Sequence, residues 1–254
     1  DAVCRSDVDG ALDRPADGEE TKSSVAWHPV QGAVIRTEWR MVKGSSVRQH
    51  RFTAELPVRL SNGDRPSARD WFDAWVSSFS TGEPVNVGDR SLLDFALLHR
   101  FDEDHFLAWM AALMPRGVSD RDFVTLNTVD DERLTVFAKS MMGGAPMVHV
   151  NDLVERSVAS RGNFTRGNVR AYGFKIEEAP SEDQGCRVVF IEQVEPRGGI
   201  PVKLVNTEHV GKLRAKGIRG MFRALESRLE SSYQTTTDNS TMAKQQKIVS
   251  FREN

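Results

Sequence analysis

Cysteine is nearly absent from this chain of 254 residues: Cys4 and Cys186 are its only two. Two thiols build neither a disulfide framework nor a four-cysteine zinc site, and they suit a reducing compartment. Long apolar runs are missing as well. No stretch of about 18 apolar residues occurs, which excludes a membrane-spanning helix. A mean hydropathy of -0.44 agrees with that. Charge of one sign is lacking too, since 34 Lys and Arg against 36 Asp and Glu leave a net charge of -2. Bulk charge therefore advertises no nucleic-acid partner. The chain opens at Asp1 with no Met and no apolar leader, and reads as a fragment or a processed product.

Catalytic signatures are equally scarce. The six histidines are His28, His50, His99, His105, His149 and His209, and none stands at metal-ligand spacing from another His, Cys or carboxylate. There is no G-x-S-x-G elbow, Walker loop or dinucleotide fingerprint. No catalytic residue, metal or cofactor is assigned. His99 and His105 flank a predicted tight turn; they could serve as acid and base, and read more simply as surface or half-buried structural histidines. The acidic runs at 102–104 and 130–132 read as solvated hairpin tips. Cys186 reads as a small buried apolar residue, and Arg121-Asp122 as a structural ion pair at the start of a strand.

What is present is a pattern of strands closed by a helix. Residues 1–24 are acidic and poor in large apolar side chains, so they are expected to be a flexible lead-in. Residues 33–42 and 47–56 form a predicted hairpin around Gly44. In residues 68–79, Phe72, Trp75, Val76 and Phe79 recur at helical spacing, with Ser67 as the predicted N-cap. Further strand pairs are predicted at 92–101 with 106–114, at 121–129 with 134–141, and at 169–176 with 187–194. A variable stretch precedes Asn168. Hairpin-linked strands imply an α+β fold built on a curved antiparallel sheet.

Residues 202–233 form the clearest helix. Val210, Leu213, Ile218, Met221, Phe222, Leu225 and Leu229 make its apolar stripe. Lys203, Lys212, Arg214, Lys216, Arg219, Arg223 and Arg228 outnumber Glu208, Glu226 and Glu230, leaving +4 on one element. Residues 234–254 are polar and patternless, and are expected to be a flexible tail. The folded domain is thus placed at 25–233.

Three passages carry a resemblance to a known family. Val118-Ser119-Asp120-Arg121-Asp122-Phe123-Val124 is similar to an S-x-R-D-F strand opening. Gly167-Asn168-Val169-Arg170-Ala171 resembles a G-x-V-R-A strand. Gln193-Val194-Glu195-Pro196-Arg197-Gly198-Gly199-Ile200-Pro201, running into Leu204-Val205-Asn206, is similar to a Q-x-D-P-x-G-x-I-P-x-x-L-V-N passage. These resemble the START family of lipid-transfer domains, with Glu195 standing where the family has Asp. The resemblance spans about 92–229 and departs most at 73–88. It implies a helix-grip fold, in which a curved antiparallel sheet grips the long C-terminal helix. It also implies a tunnel for one lipid, a phospholipid or a sterol, and no enzymatic activity.

A lipid carrier hides acyl or sterol surface at roughly 25 cal/mol per Å² and needs a few polar groups to orient the head. The candidate wall residues are Phe95, Leu97, Trp109, Phe137, Tyr172 and Phe190, faced by Leu213 and Met221 from the helix. As ordinary core they would look the same. Arg170 and Glu192 lie mid-strand. If both point inward they pair and meet a head group; if outward, they are solvated strand charges. The expected partners are a lipid and, through the cationic helix, an anionic membrane surface, with a monomeric chain and a cytoplasmic, peripheral location. A lipid-sensing module of a longer protein and a helix-grip enzyme of cyclase or hydrolase type are the alternatives.

Overall fold

The computed structural model describes residues 26–80, 92–114, 118–140, 148–158, 161–178 and 185–250. The expected acidic lead-in and the predicted turns at 143–146 and 179–184 lie outside these residues. The sheet starts with a very short β1 (His28–Pro29), which pairs with β2 (Arg36–Met41). β2 forms the expected hairpin with β3 (Arg48–Glu55).

The first described helix, α1 (Ala68–Ser80), is fixed at its start by reciprocal bonds. The Asp70 amide donates to Ser67 Oγ at 3.2 Å, and the Ser67 amide donates to Asp70 Oδ2 at 2.7 Å. Two amides that open a helix without partners are thereby satisfied. Trp71, Phe72 and Trp75 form its buried face.

β4 (Leu92–Arg100) and β5 (His105–Ala112) form one antiparallel pair, and β6 (Arg121–Asp130) and β7 (Thr135–Ser140) another. Helix α2 (Val148–Val158) follows, in the stretch expected to be irregular. After β8 (Thr165–Arg166) come the long central strands β9 (Asn168–Glu178) and β10 (Cys186–Glu195). The order across the sheet is β1-β2-β3-β10-β9-β7-β6-β5-β4, with β8 paired to β6 off that path. The ends do not meet, so the sheet is curved and open.

A single helical turn, α3 (Val202–Val205), and the long helix α4 (Glu208–Ser250) complete the fold. Thr207 Oγ1 accepts from the Val210 amide at 3.3 Å and starts α4 afresh. The helix predicted as one piece from 202 to 233 is therefore broken at residues 206–207. It also runs on as helix to Ser250, where a flexible tail was expected.

Alternation gives the sheet two covered faces. On the inner face, Phe52, Phe106, Phe174 and Phe190 pack with α1 and with Ile218, Met221, Phe222, Leu225 and Leu229 of α4. On the outer face, Leu107, Trp109 and Val124 pack under Val154 and Val158 of α2. The result is the helix-grip arrangement, with the interior between the inner face and α4.

The expected Arg121–Asp122 pair does not form, because adjacent strand residues point to opposite faces. Arg121 is buried and donates to the carbonyls of Ser119, Pro196 and Arg197. Asp122 receives Arg166 at 2.8 Å and the Trp109 indole N–H at 2.9 Å. Gly198 belongs to the same knot. Its φ is +62°, and a Cβ there would stand 2.8 Å from an Arg121 guanidinium nitrogen. That accounts physically for the Pro-x-Gly passage: the turn carries no side chain so that an arginine can gather its carbonyls.

Candidate ligand site

The interior is built around an aromatic lattice. Trp75 stacks on Phe174 with ring centroids 4.0 Å apart, and Phe222 meets Trp75 edge-on at 5.9 Å. Tyr172 meets Phe190 edge-on at 4.8 Å. Phe79 carries the lattice across to β4 and β5, 5.7 Å from both Phe95 and Phe106. Five of the proposed wall residues sit in this inner cluster: Phe95, Leu97, Tyr172, Phe190 and Met221.

The other proposed residues lie elsewhere. Trp109 is on the outer face under α2, and Phe137 packs on that face with Ala171, Val189 and Ile191. Leu213 is 50% exposed. The buried line of α4 runs instead through Gly211, Ala215, Ile218, Phe222, Leu225 and Leu229. Two of these are very small, and they let the helix backbone approach the sheet closely.

Arg170 and Glu192 part company. The register between β9 and β10 shifts where Gln193 faces Ala171 and the next residue, Val194, faces Val169. Arg170 is the extra residue of that bulge, and it turns outward. Its side chain is 41% exposed and pairs with Glu195. Glu192 stays inside, in register with His50 of β3 on one side and Tyr172 of β9 on the other. Its partner is Arg214, which reaches in from α4.

This gives the apolar interior one polar end, made of His50, Tyr172, Glu192 and Arg214. His50 is buried, and its pKa is pulled down to about 4, first by burial and then by the charges of Arg214 and Arg48. It is a neutral imidazole near pH 7. The Tyr172 hydroxyl is held above its usual pKa by burial and by the neighbouring Glu192 carboxylate. Farther along the inner face, Asn127 and Thr125 of β6 are buried opposite Phe106 and Ala108. The Asn127 amide donates to Thr125 Oγ1 at 3.1 Å.

Sequence reasoning missed His50, Arg214, Thr125 and Asn127. A signal for the last two was present. In β6, the alternate positions 121, 123, 125, 127 and 129 mix Arg, Thr and Asn with Phe and Val, as a face does when it lines a partly polar interior. The histidines of the β4–β5 tip take no part. His99 is exposed and stands edge-on to Phe101 at 4.7 Å, while the His105 ring lies 2.9 Å from Asp102 Oδ1. Cys186 is a free, buried thiol whose pKa is pushed up to about 12 by burial and by Glu178. It is chemically quiet.

No family profile and no curated protein matches the chain. Solved structures do. Human STARD10 is 14% identical, covering 85% of this chain and 80% of that chain, with a TM-score of 0.59. Human StAR-related lipid transfer protein 5 is 13% identical over 91% of this chain and 95% of that chain, also at 0.59. A STAR-related lipid transfer protein fragment from Xanthomonas axonopodis is 17% identical over 80% of this chain and 98% of that chain, at 0.53. At such identity the likeness is one of fold: the chain folds as START domains do.

Proposed function

We propose that this domain holds a single lipid between the inner face of its sheet and helix α4, and carries it between membranes without performing chemistry on it. The observation behind this reading is an aromatic interior contributed by α1, α4 and the central strands that ends in the polar quartet His50, Tyr172, Glu192 and Arg214, in which His50 and Glu192 are buried and Arg214 reaches in from the surface. Apolar walls supply the free energy of holding a chain or ring system, and a few fixed polar groups orient its head. The names of the fold's solved relatives, lipid transfer proteins, favour the same reading.

The membrane contact we assign to α3 and the first turns of α4. Val202, Leu204 and Leu213 are 40%, 56% and 50% exposed there. Lys203, Lys216, Arg219 and Arg223 are exposed around and beyond them. Apolar side chains flanked by cations suit an anionic bilayer surface. A monomer touching the membrane peripherally from the cytoplasm fits this use. A lipid-sensing role within a longer chain rests on the same site and differs only in its output.

Transfer between vesicles of fluorescent phospholipid or sterol, with chelator present, tests the proposal. Saturable transfer of one class is the expected result. No binding and no transfer of either class would remove it.

A further inference from the structure

Four buried side-chain nitrogens have no hydrogen-bond partner among the described residues: Arg48 Nη1, His50 Nε2, Trp71 Nε1 and Trp75 Nε1. Guanidinium and indole nitrogens only donate. Three of these points therefore lack an acceptor, and the neutral His50 ring joins them in the tautomer that carries its proton on Nε2. Two of the four belong together, since Arg48 and His50 stand two residues apart on β3 and so share the inner face.

Arg48 lies flat over Trp39, 3.6 Å from the ring centroid. That contact seats the guanidinium on the ring, and its buried Nη1 has no hydrogen-bond partner among the described residues. His50, 7% exposed, feels the positive charges of both Arg48 and Arg214. Glu192 is already engaged by Arg214, and Glu208 attracts Arg48 only through space. The first turn of α4 closes over the imidazole: a Cβ on Gly211 would stand 3.5 Å from His50 Nε2 and 3.3 Å from Val30.

We infer that Arg48 and His50 form the seat for the oxyanion head of an acidic lipid, a carboxylate or a phosphate, which enters when the first turn of α4 lifts. This rests on the lipid-binding reading and adds the class of lipid. An oxyanion brings at least two acceptor oxygens for the two donors. A lone hydroxyl brings one, and a cationic head would be repelled by Arg48 and Arg214. From the seat an apolar path leads inward. His50 stacks 6.0 Å from Phe52, Phe52 lies 6.1 Å from Phe190, and Phe190 lies 6.3 Å from Trp75.

The test compares pairs of probes that share a tail: oleate with oleyl alcohol, and dioleoyl phosphatidic acid with dioleoylglycerol, each titrated into the whole chain at pH 7. At least one acid should bind at least about tenfold more tightly than its uncharged analogue, the factor one charge-assisted hydrogen bond supplies. Which pair shows it separates carboxylate from phosphate. Arg48→Gln and His50→Gln should each bring that ratio towards one, and Arg48→Lys should keep most of the preference. Because the readout is a ratio on one protein, a modest loss of stability cancels. Uncharged analogues binding as tightly as both acids, or a preference that survives both Gln substitutions, would overturn the oxyanion seat and leave the lipid reading standing. Failure of all four probes to bind would overturn the seat, and the lipid reading falls with it only when neutral phospholipid and sterol fail to bind as well.

Discussion

Glu192 of β10 and Arg214 of α4 form an ion pair that ties the centre of the sheet to the second turn of the closing helix. The pair is lopsided. The Glu192 side chain is 9% exposed, and that of Arg214 is 43% exposed. Removing the arginine strands a buried carboxylate, whereas removing the acid lets the arginine swing into water. Arg214→Ala should therefore cost about 1–3 kcal/mol of stability, Glu192→Gln less, and the double variant less than the sum of the two. Urea melts of all four proteins check this. Simple additivity would mean that the pair does not hold the helix.

His50 gives the domain an acid-sensitive core. Its folded pKa of about 4 lies below the ordinary 6.5, so the unfolded chain takes up the proton first. The stability it contributes is complete above pH 6.5 and is lost as pH falls from there towards 4. The loss amounts to about 2–3 kcal/mol by pH 4.5. Burial is the first cause of that shift, and the charges of Arg214 and Arg48 add to it, with Glu192 in register beside His50 on the neighbouring strand. His50→Gln should flatten the stability curve between pH 7 and 4.5. A variant that melts with the same pH slope as the parent would contradict this.

Arg121 is expected to be irreplaceable by lysine. One guanidinium reaches the carbonyls of Ser119, Pro196 and Arg197, where an ammonium on a single stem cannot match that fork. Arg121→Lys should cost about 2–3 kcal/mol through buried carbonyls left unmet. The loss should show in equilibrium melts and in faster hydrogen exchange of the turn before α3.

The exposed cations of α4 should act on membranes and leave the fold alone. Changing Lys216, Arg219 and Arg223 together to Gln should weaken binding to anionic vesicles by about tenfold or more, at roughly 1 kcal/mol per charge. Melting temperature should hardly move. Raised salt should mimic the substitutions. Vesicle binding indifferent to both would place the membrane contact elsewhere on the surface.

The fold was largely legible in the sequence because strand alternation, the Ser67 cap and the terminal apolar stripe are local signals. The site was legible only in part, for reasons that can be named. Both faces of the sheet are covered, so Trp109 on the outer face looks, in sequence, just like Phe106 on the inner one. Helix α2, which covers Trp109, is too short and too polar to announce itself. Arg170 has the parity of Tyr172 and should point inward by alternation, but the bulge opposite Gln193 and Val194 turns it out. Bulges leave no residue signature here. Arg214 and Leu213 exchanged their expected places because α4 touches the sheet through Gly211 and Ala215, and a stripe read from large apolar residues passes over small ones.

The most direct measurement of the central claim is native mass spectrometry of the whole chain, purified and then incubated with vesicles of mixed neutral and acidic lipids. One added lipid mass per chain is expected, retained through gentle desolvation and reduced by substitutions at Phe190 or Tyr172 that leave the fold intact. A chain that stays at its bare mass after purification and after incubation would contradict it.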